Sequence, residues 1–317
     1  MKSLRYVLAS AALVVIFVPG CGESATSPAP ESPVAAAQRL VQLEERTQAA
    51  LANQRDITAI TADVRAFVAE HEAMPQGHRL LGLLLTQQDQ PAEAYQHLSL
   101  AVADEATATP EMHAMLGSLS VQLDRPAEAL EHYQRAIALQ PMNMRFRLQL
   151  AQTMLTTGDR DLAAAELEEI IRLDASLHQA FAMLGRLEAD AGNLQRATRL
   201  TGKAIQKAPP HDARLLTNYA RQQADHWLKL GQPQQALAVL RVLPMDAQTS
   251  PAVSEDLARA WSALGEPAKA AKHYEQIAVM MPALIEPPQL AAQWYEQAGM
   301  SEEAQRMREM ARRRSAP

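Results

Sequence analysis

PEMHAMLGSLSVQLDRPAEALEHYQRAIALQP, residues 110–141, holds the pattern that organises most of the chain. Counted from Pro110, Leu116 and Gly117 fall at positions 7 and 8, Ala129 at 20, Tyr133 at 24, Ala136 at 27 and Pro141 at 32. Arg125-Pro126 reads as a tight turn followed by a helix start, because proline needs no hydrogen-bond donor in a first turn. The segment is therefore a pair of antiparallel helices. Small residues at 8 and 20 let the two approach closely, and larger ones at 7 and 24 fill the space around them.

The same spacing recurs on both sides. Starting at Pro75 it gives Leu81-Gly82, Ala94, Leu98 and Ala101; at Met144, Leu150-Ala151, Ala163, Leu167 and Ile170; at His178, Leu184-Gly185, Ala197, Thr201, Ala204 and Pro209. It returns at Pro251 with Leu257-Ala258, Gly265, Ala270, Tyr274, Ile277 and Pro282, and at Ile285 with Ala291-Ala292, Gly299, Ala304 and Ala311. Gln90-Pro91, Gln232-Pro233 and Glu266-Pro267 repeat the turn-then-proline signal. A lone helix pair cannot cover its apolar face, so neighbouring pairs must stack around a continuous core.

These positions resemble the packing positions of the tetratricopeptide repeat, a 34-residue helix–turn–helix unit. The resemblance implies an all-α, right-handed superhelical solenoid of seven or eight antiparallel helix pairs. Four units are expected over 75–211 and two, with a capping helix, over 251–317. Between 212 and 250 the period breaks. Tyr219 displaces the small residue of a unit begun at Asp212, whereas Gly231, Ala236 and Leu240 fit one begun at Thr217. That predicts a first helix about five residues longer than its neighbours, with Trp227 in the core. Residues 34–74 read as a degenerate repeat or N-terminal cap, with Asp56 as a helix cap and Thr47 as the weak member of an apolar face. The arginines of Glu302–Arg314 read as a solvated terminal cap.

Composition agrees with a folded helical chain. Of 317 residues 48% are hydrophobic, and only 12 are Gly and 19 Pro, which disfavours a β-sandwich. The formal charge is -6, and becomes -8 without the first twenty residues, which hold Lys2 and Arg5 and no acid; a general nucleic-acid binder should instead carry a basic face.

Those twenty residues stand apart from the fold. Lys2 and Arg5 precede an apolar run, Val7 to Val18, interrupted only by Ser10. Twelve helical residues rise about 18 Å, short of a roughly 30 Å hydrocarbon core, so an export signal fits better than a membrane span. Val18-Pro19-Gly20-Cys21 resembles the lipobox of bacterial lipoproteins, although Pro19 departs from the usual residue at its position. The resemblance implies a signal peptide over 1–20, lipidation of Cys21, the chain's single cysteine, and a flexible tether over 21–33 rich in Gly, Ser, Thr and Pro. With Gly22 next, it implies the periplasmic face of the outer membrane, or the exterior of the plasma membrane in a Gram-positive host.

No catalytic constellation stands out. No two of the nine histidines lie three or four residues apart, and phosphate-loop, dinucleotide and nucleophile-elbow motifs are missing. The chain is read as a non-enzyme with no cofactor and no metal. His97, His132 and His273 share position 23 and are expected on the outer face of second helices.

By the repeat resemblance, ligands lie on the concave face at positions 2, 5, 9, 12 and 13 of each first helix. Arg79, Gln122, Arg145, Gln152, Arg186 and Arg259 are the candidate contacts, a mixture of guanidinium and amide groups suited to a peptide backbone. The Lys and Asn carboxylate clamp of the family's chaperone-binding members is not reproduced. The expected role is an adaptor or scaffold binding a protein or extended peptide in an envelope assembly such as pilus or secretion machinery, polysaccharide export or cell-wall regulation. Self-association through exposed repeat edges and capture of a glycan or cell-wall peptide are the alternatives.

Overall fold

The computed structural model describes residues 31–53, 56–103, 105 and 107–315. The expected signal segment, Cys21 and nearly all of the tether lie outside the described residues. Those described form seventeen helices in chain order: α1 (Pro33–Ala52), α2 (Thr58–Glu70), α3 (Pro75–Gln87), α4 (Pro91–Ala101), α5 (Pro110–Gln122), α6 (Pro126–Leu139), α7 (Met144–Thr157), α8 (Arg160–Leu173), α9 (His178–Asp190), α10 (Leu194–Lys207), α11 (Ala213–Lys229), α12 (Pro233–Arg241), α13 (Met245–Gln248), α14 (Pro251–Ala263), α15 (Pro267–Met280), α16 (Glu286–Gln297) and α17 (Ser301–Ser315). Consecutive helices pack in antiparallel pairs, and each pair packs on the next, so the fold is an all-α solenoid. None of the described helices is long and apolar enough to cross a membrane.

The repeat positions do the packing assigned to them. Ala94, Ala129, Ala163 and Ala197 are fully buried, as are Leu98 and Leu167. A Cβ on Gly117 would lie 2.8 Å from the Tyr133 ring, and one on Gly185 2.9 Å from Thr201 Cγ2, so glycine sets the approach of the paired helices there. Pro91, Pro126, Pro233 and Pro267 each open a second helix. The turn before them needs a left-handed residue at position 15. Gly158, Gly192, Gly231, Gly265 and Gly299 supply it in five units, while Asp89 (φ 56°) and Asp124 (φ 57°) are forced into it in the first two.

At the N-terminus, Ile57 rather than the expected Asp56 is the N-cap of α2, and Asp56 Oδ1 accepts hydrogen bonds from the Thr58 backbone N–H (2.8 Å) and hydroxyl (2.6 Å) just ahead of the helix. Thr47 is 1% exposed, and its hydroxyl donates to the Leu43 carbonyl (2.7 Å), so a polar residue is accommodated in the apolar face of α1. At the other end, Arg306 pairs with Glu275 (2.6 Å), Arg308 with Glu296, and Arg314 donates to the Ala278 and Leu284 carbonyls. The basic α17 is thereby fastened to the preceding pairs rather than only solvated.

In the irregular region α11 has 17 residues against 13 in α9, four more rather than five, and its partner α12 has only 9. Gln248 closes the shortened helix by donating to the Arg241 and Leu243 carbonyls (3.0 and 2.6 Å). Ala224, not Tyr219, takes the small-residue position, and Trp227, expected in the core, is half-buried and packs against the edge of the cluster that Ala224 shares with Leu237 and Leu240.

The outer-face expectation for position 23 is corrected. His97 Nδ1 lies 2.9 Å from His78 Nδ1, and His132 stacks on His113 with ring centroids 5.8 Å apart. In these two units position 23 of the second helix faces position 4 of its own first helix. The third unit fills the same two places with an ion pair, Arg147 to Glu166 (2.6 Å). Burial first, then the neighbouring histidine, hold His97 and His113 below the ordinary imidazole value. In the His78–His97 pair, Nε2–H of His78 donates to the Glu72 carbonyl (2.9 Å), which leaves its Nδ1 as acceptor for His97.

Candidate binding groove

Three first helices, α7, α9 and α11, border a groove of about 480 Å³. Local signals place them. Asn143 caps α7 by accepting from the Arg145 N–H (3.2 Å), and Asp212 caps α11 by accepting from the Leu215 N–H (2.9 Å). The four extra residues of α11 let it present both Tyr219 and Gln222 to α9. The Gln222 amide donates to the Ala182 carbonyl (3.0 Å), and the Tyr219 hydroxyl and His178 Nδ1 share a hydrogen bond (2.9 Å). Burial, opposed by Asp212, keeps His178 below its usual value and so available as an acceptor. Burial raises the Tyr219 phenol, so it keeps its proton.

The groove's lining divides by chemistry. Leu155, Ala182, Met183 and Leu187 give it an apolar floor. Gln152, Gln179 and Asn218 are exposed side-chain amides along it, and none has a hydrogen-bond partner among the described residues. At one rim Arg160 pairs with Asp190 (3.3 Å). Arg186 is exposed and has no ion-pair partner among the described residues, so it leaves the groove one uncompensated positive charge. Such a surface offers donors and acceptors in both directions to an extended backbone, an apolar bed for its side chains, and one site for a carboxylate.

Of the six candidate contacts, the structure brings Gln152 and Arg186 together in this groove. Arg145, in the first turn of α7, and Gln122, at the end of α5, are exposed and lie outside its lining. Arg79 is held by Glu44, and Arg259 by Asp225 (3.0 Å) and Asp256 (3.4 Å). The Arg259–Asp225 pairing had a sequence signal: Asp225 stands 34 residues before Arg259, one period away and on the neighbouring first helix. Gln179 occupies position 2 of its unit and Asn218 the same position of a unit begun at Thr217, so the period reaches both, whereas Tyr219 and Gln222 fall at positions 3 and 6, outside the set expected to meet a ligand.

One group of His, Asp and Glu side chains among the described residues converges closely enough to consider a cation: Glu31, Glu70 and His71. Arg39 already fills that role, 2.5 Å from Glu70 and 3.4 Å from Glu31. The hydrogen bond from His71, followed by Arg39, holds the Glu31 carboxyl below the usual range.

Two tetratricopeptide-repeat family models match the sequence, over residues 120–187 and 251–276. No curated protein matches it. Among solved structures, the C-terminal part of a TPR repeat-containing protein from Cytophaga hutchinsonii is 12% identical, with a TM-score of 0.64 over 79% of this chain and 98% of its own. A tetratricopeptide repeat protein from Parabacteroides merdae is 16% identical, with a TM-score of 0.56 over 84% and 99%. Pseudomonas aeruginosa pilF is 14% identical, with a TM-score of 0.54 over 69% and 97%. At these identities the likeness is one of fold. With its 34-residue period, its stacked helix pairs and the two matches, the chain carries tetratricopeptide repeats.

Proposed function

We propose that the chain is a non-catalytic scaffold that binds an extended segment of a partner protein along the groove between α7, α9 and α11. The observation that carries this reading is the set of unpartnered groups there. Three side-chain amides and the Arg186 guanidinium border an apolar floor, while Arg79 and Arg259 have partners within the chain. An unengaged amide row costs nothing while solvated and gains hydrogen bonds only when a backbone replaces water. Replacing Gln152, Asn218 and Arg186 together by Ala, Ala and Gln abolishes recovery of the crosslinked partner from host cells and leaves the far-UV circular dichroism unchanged. Undiminished recovery with native helicity would sink the reading.

The place of action we propose is the cell envelope, with the solenoid held at a membrane by a lipid on Cys21, ahead of the repeats, and positioned to act in an envelope assembly. Support comes from the sequence: Lys2 and Arg5, the apolar run Val7 to Val18, and the single cysteine following Gly20. Cys21→Ser moves the protein from the membrane to the soluble fraction. Equal membrane retention of both forms would remove the anchor from the account.

A further inference from the structure

A second cleft, of about 300 Å³, lies between α14, α15 and α16. Ile277 is buried at its base, and Tyr274 and Leu290 form half-buried walls. Met281 and Leu284 stand at its mouth, 38% and 43% exposed, an apolar surface left open to water. Two carboxylates share this lining, Glu255 from α14 and Glu286 from the first turn of α16. Neither has an ion-pair or hydrogen-bond partner among the described residues, and both are exposed. Arg259, one turn along α14 from Glu255, is committed to Asp225 and Asp256. The Tyr274 phenol reports the local field. Burial raises it above its ordinary value, and Glu255 and Glu286 raise it further against the opposing Arg259.

An apolar slot edged by two uncompensated negative charges matches a side chain with an aliphatic stem and a cationic head. The stem packs on Met281, Leu284 and Leu290 while the head stays hydrated and meets the carboxylates. We propose that this slot receives a lysine or arginine side chain from an extended segment of the partner protein. The inference rests on reading the first-helix face as a peptide groove, and gives its C-terminal part a charge preference opposite to that of Arg186.

The test uses the full chain on an immobilised array of hexapeptides whose third residue is Arg, Lys, Gln, Leu or Glu, with the other positions randomised. Arg and Lys are expected to retain the chain about fivefold better than Gln, the scale of one exposed charge-assisted contact. Glu255→Gln/Glu286→Gln should erase that preference while leaving overall retention of the other peptides in place. A basic preference that survives the double substitution, or none in the native chain, overturns the slot. Retention regardless of the third residue overturns the slot but leaves the groove standing, and no retention of any peptide overturns both.

Discussion

Gly117→Ala opposes two effects of known size on one atom. Alanine is favoured over glycine inside a helix by about 1 kcal/mol, so propensity alone predicts a more stable protein. The added Cβ, however, would lie 2.8 Å from Tyr133 Cε1, 2.9 Å from Cζ and 3.0 Å from Cδ1. Ordinary carbon contacts are about 3.5–4.0 Å, so the ring or the α5–α6 spacing must yield by roughly 0.7 Å. Tyr133 is 3% exposed and is packed among Ala129, Ala136, Phe146 and Leu150, with little room to yield. Overpacking of that kind costs about 1–3 kcal/mol. The clash therefore wins, and a net loss of about 1 kcal/mol is expected in urea denaturation followed by circular dichroism. In a Tyr133→Leu background, which imitates the Ala151–Leu167 pairing of the next unit, the same substitution should stabilise. The resulting coupling energy is about 2 kcal/mol. If Gly117→Ala raises stability in the native background, close helix approach at position 8 does not govern the packing of this unit.

Asp89→Gly and Asp124→Gly relieve left-handed backbone at the two turns that lack glycine and should each add about 0.5–1 kcal/mol in the same assay; a loss at either would show the aspartate serving another purpose. Burial, the leading cause for each, holds His97, His113, His132, His178, His226 and His273 below their ordinary value, so the unfolded chain binds more protons than the folded one. Their contribution is complete above about pH 6.5 and falls as the pH drops below it, so the urea midpoint should decline from pH 7.5 to 5.5, and less steeply once His113 and His132 are replaced by Gln. Asp256 is 5% exposed, with burial raising its carboxyl value against Arg221 (2.6 Å) and Arg259. Arg221→Leu should cost about 2 kcal/mol, discounted from a fully buried pair because the guanidinium is partly solvated, and Asp256→Asn in that background should recover part of it.

The sequence was most informative where one residue had to meet a geometric demand in every unit. Small residues at 8 and 20 and larger ones at 7 and 24 are demands of helix packing, and the helices follow them, with a proline opening the second helix in four units. The histidines were legible but misread. His78–His97 and His113–His132 are each separated by 19 residues, which is the distance from position 4 to position 23 across one turn. Weighing position 23 alone put them on the outside. Arginine was harder, because a guanidinium reads the same whether it faces a ligand or a carboxylate one repeat away. Asp225 before Arg259 shows that opposite charges one period apart carry the difference. The α11 contribution to the groove was legible only in part. Asn218 falls at position 2 once the unit is begun at Thr217, but Tyr219 and Gln222 fall at positions 3 and 6, outside the set expected to meet a ligand.

Site-specific photocrosslinking in intact host cells bears most directly on the central claim that the groove between α7, α9 and α11 is where a partner lies. A photoreactive residue at Gln152, in the groove, is compared with one at Glu131, exposed on the second helix α6. The account predicts a discrete heterologous adduct from position 152 that is absent from position 131 and disappears with Arg186→Gln/Asn218→Ala. An adduct from position 131 alone, the same adduct from both, or none from position 152 would contradict it.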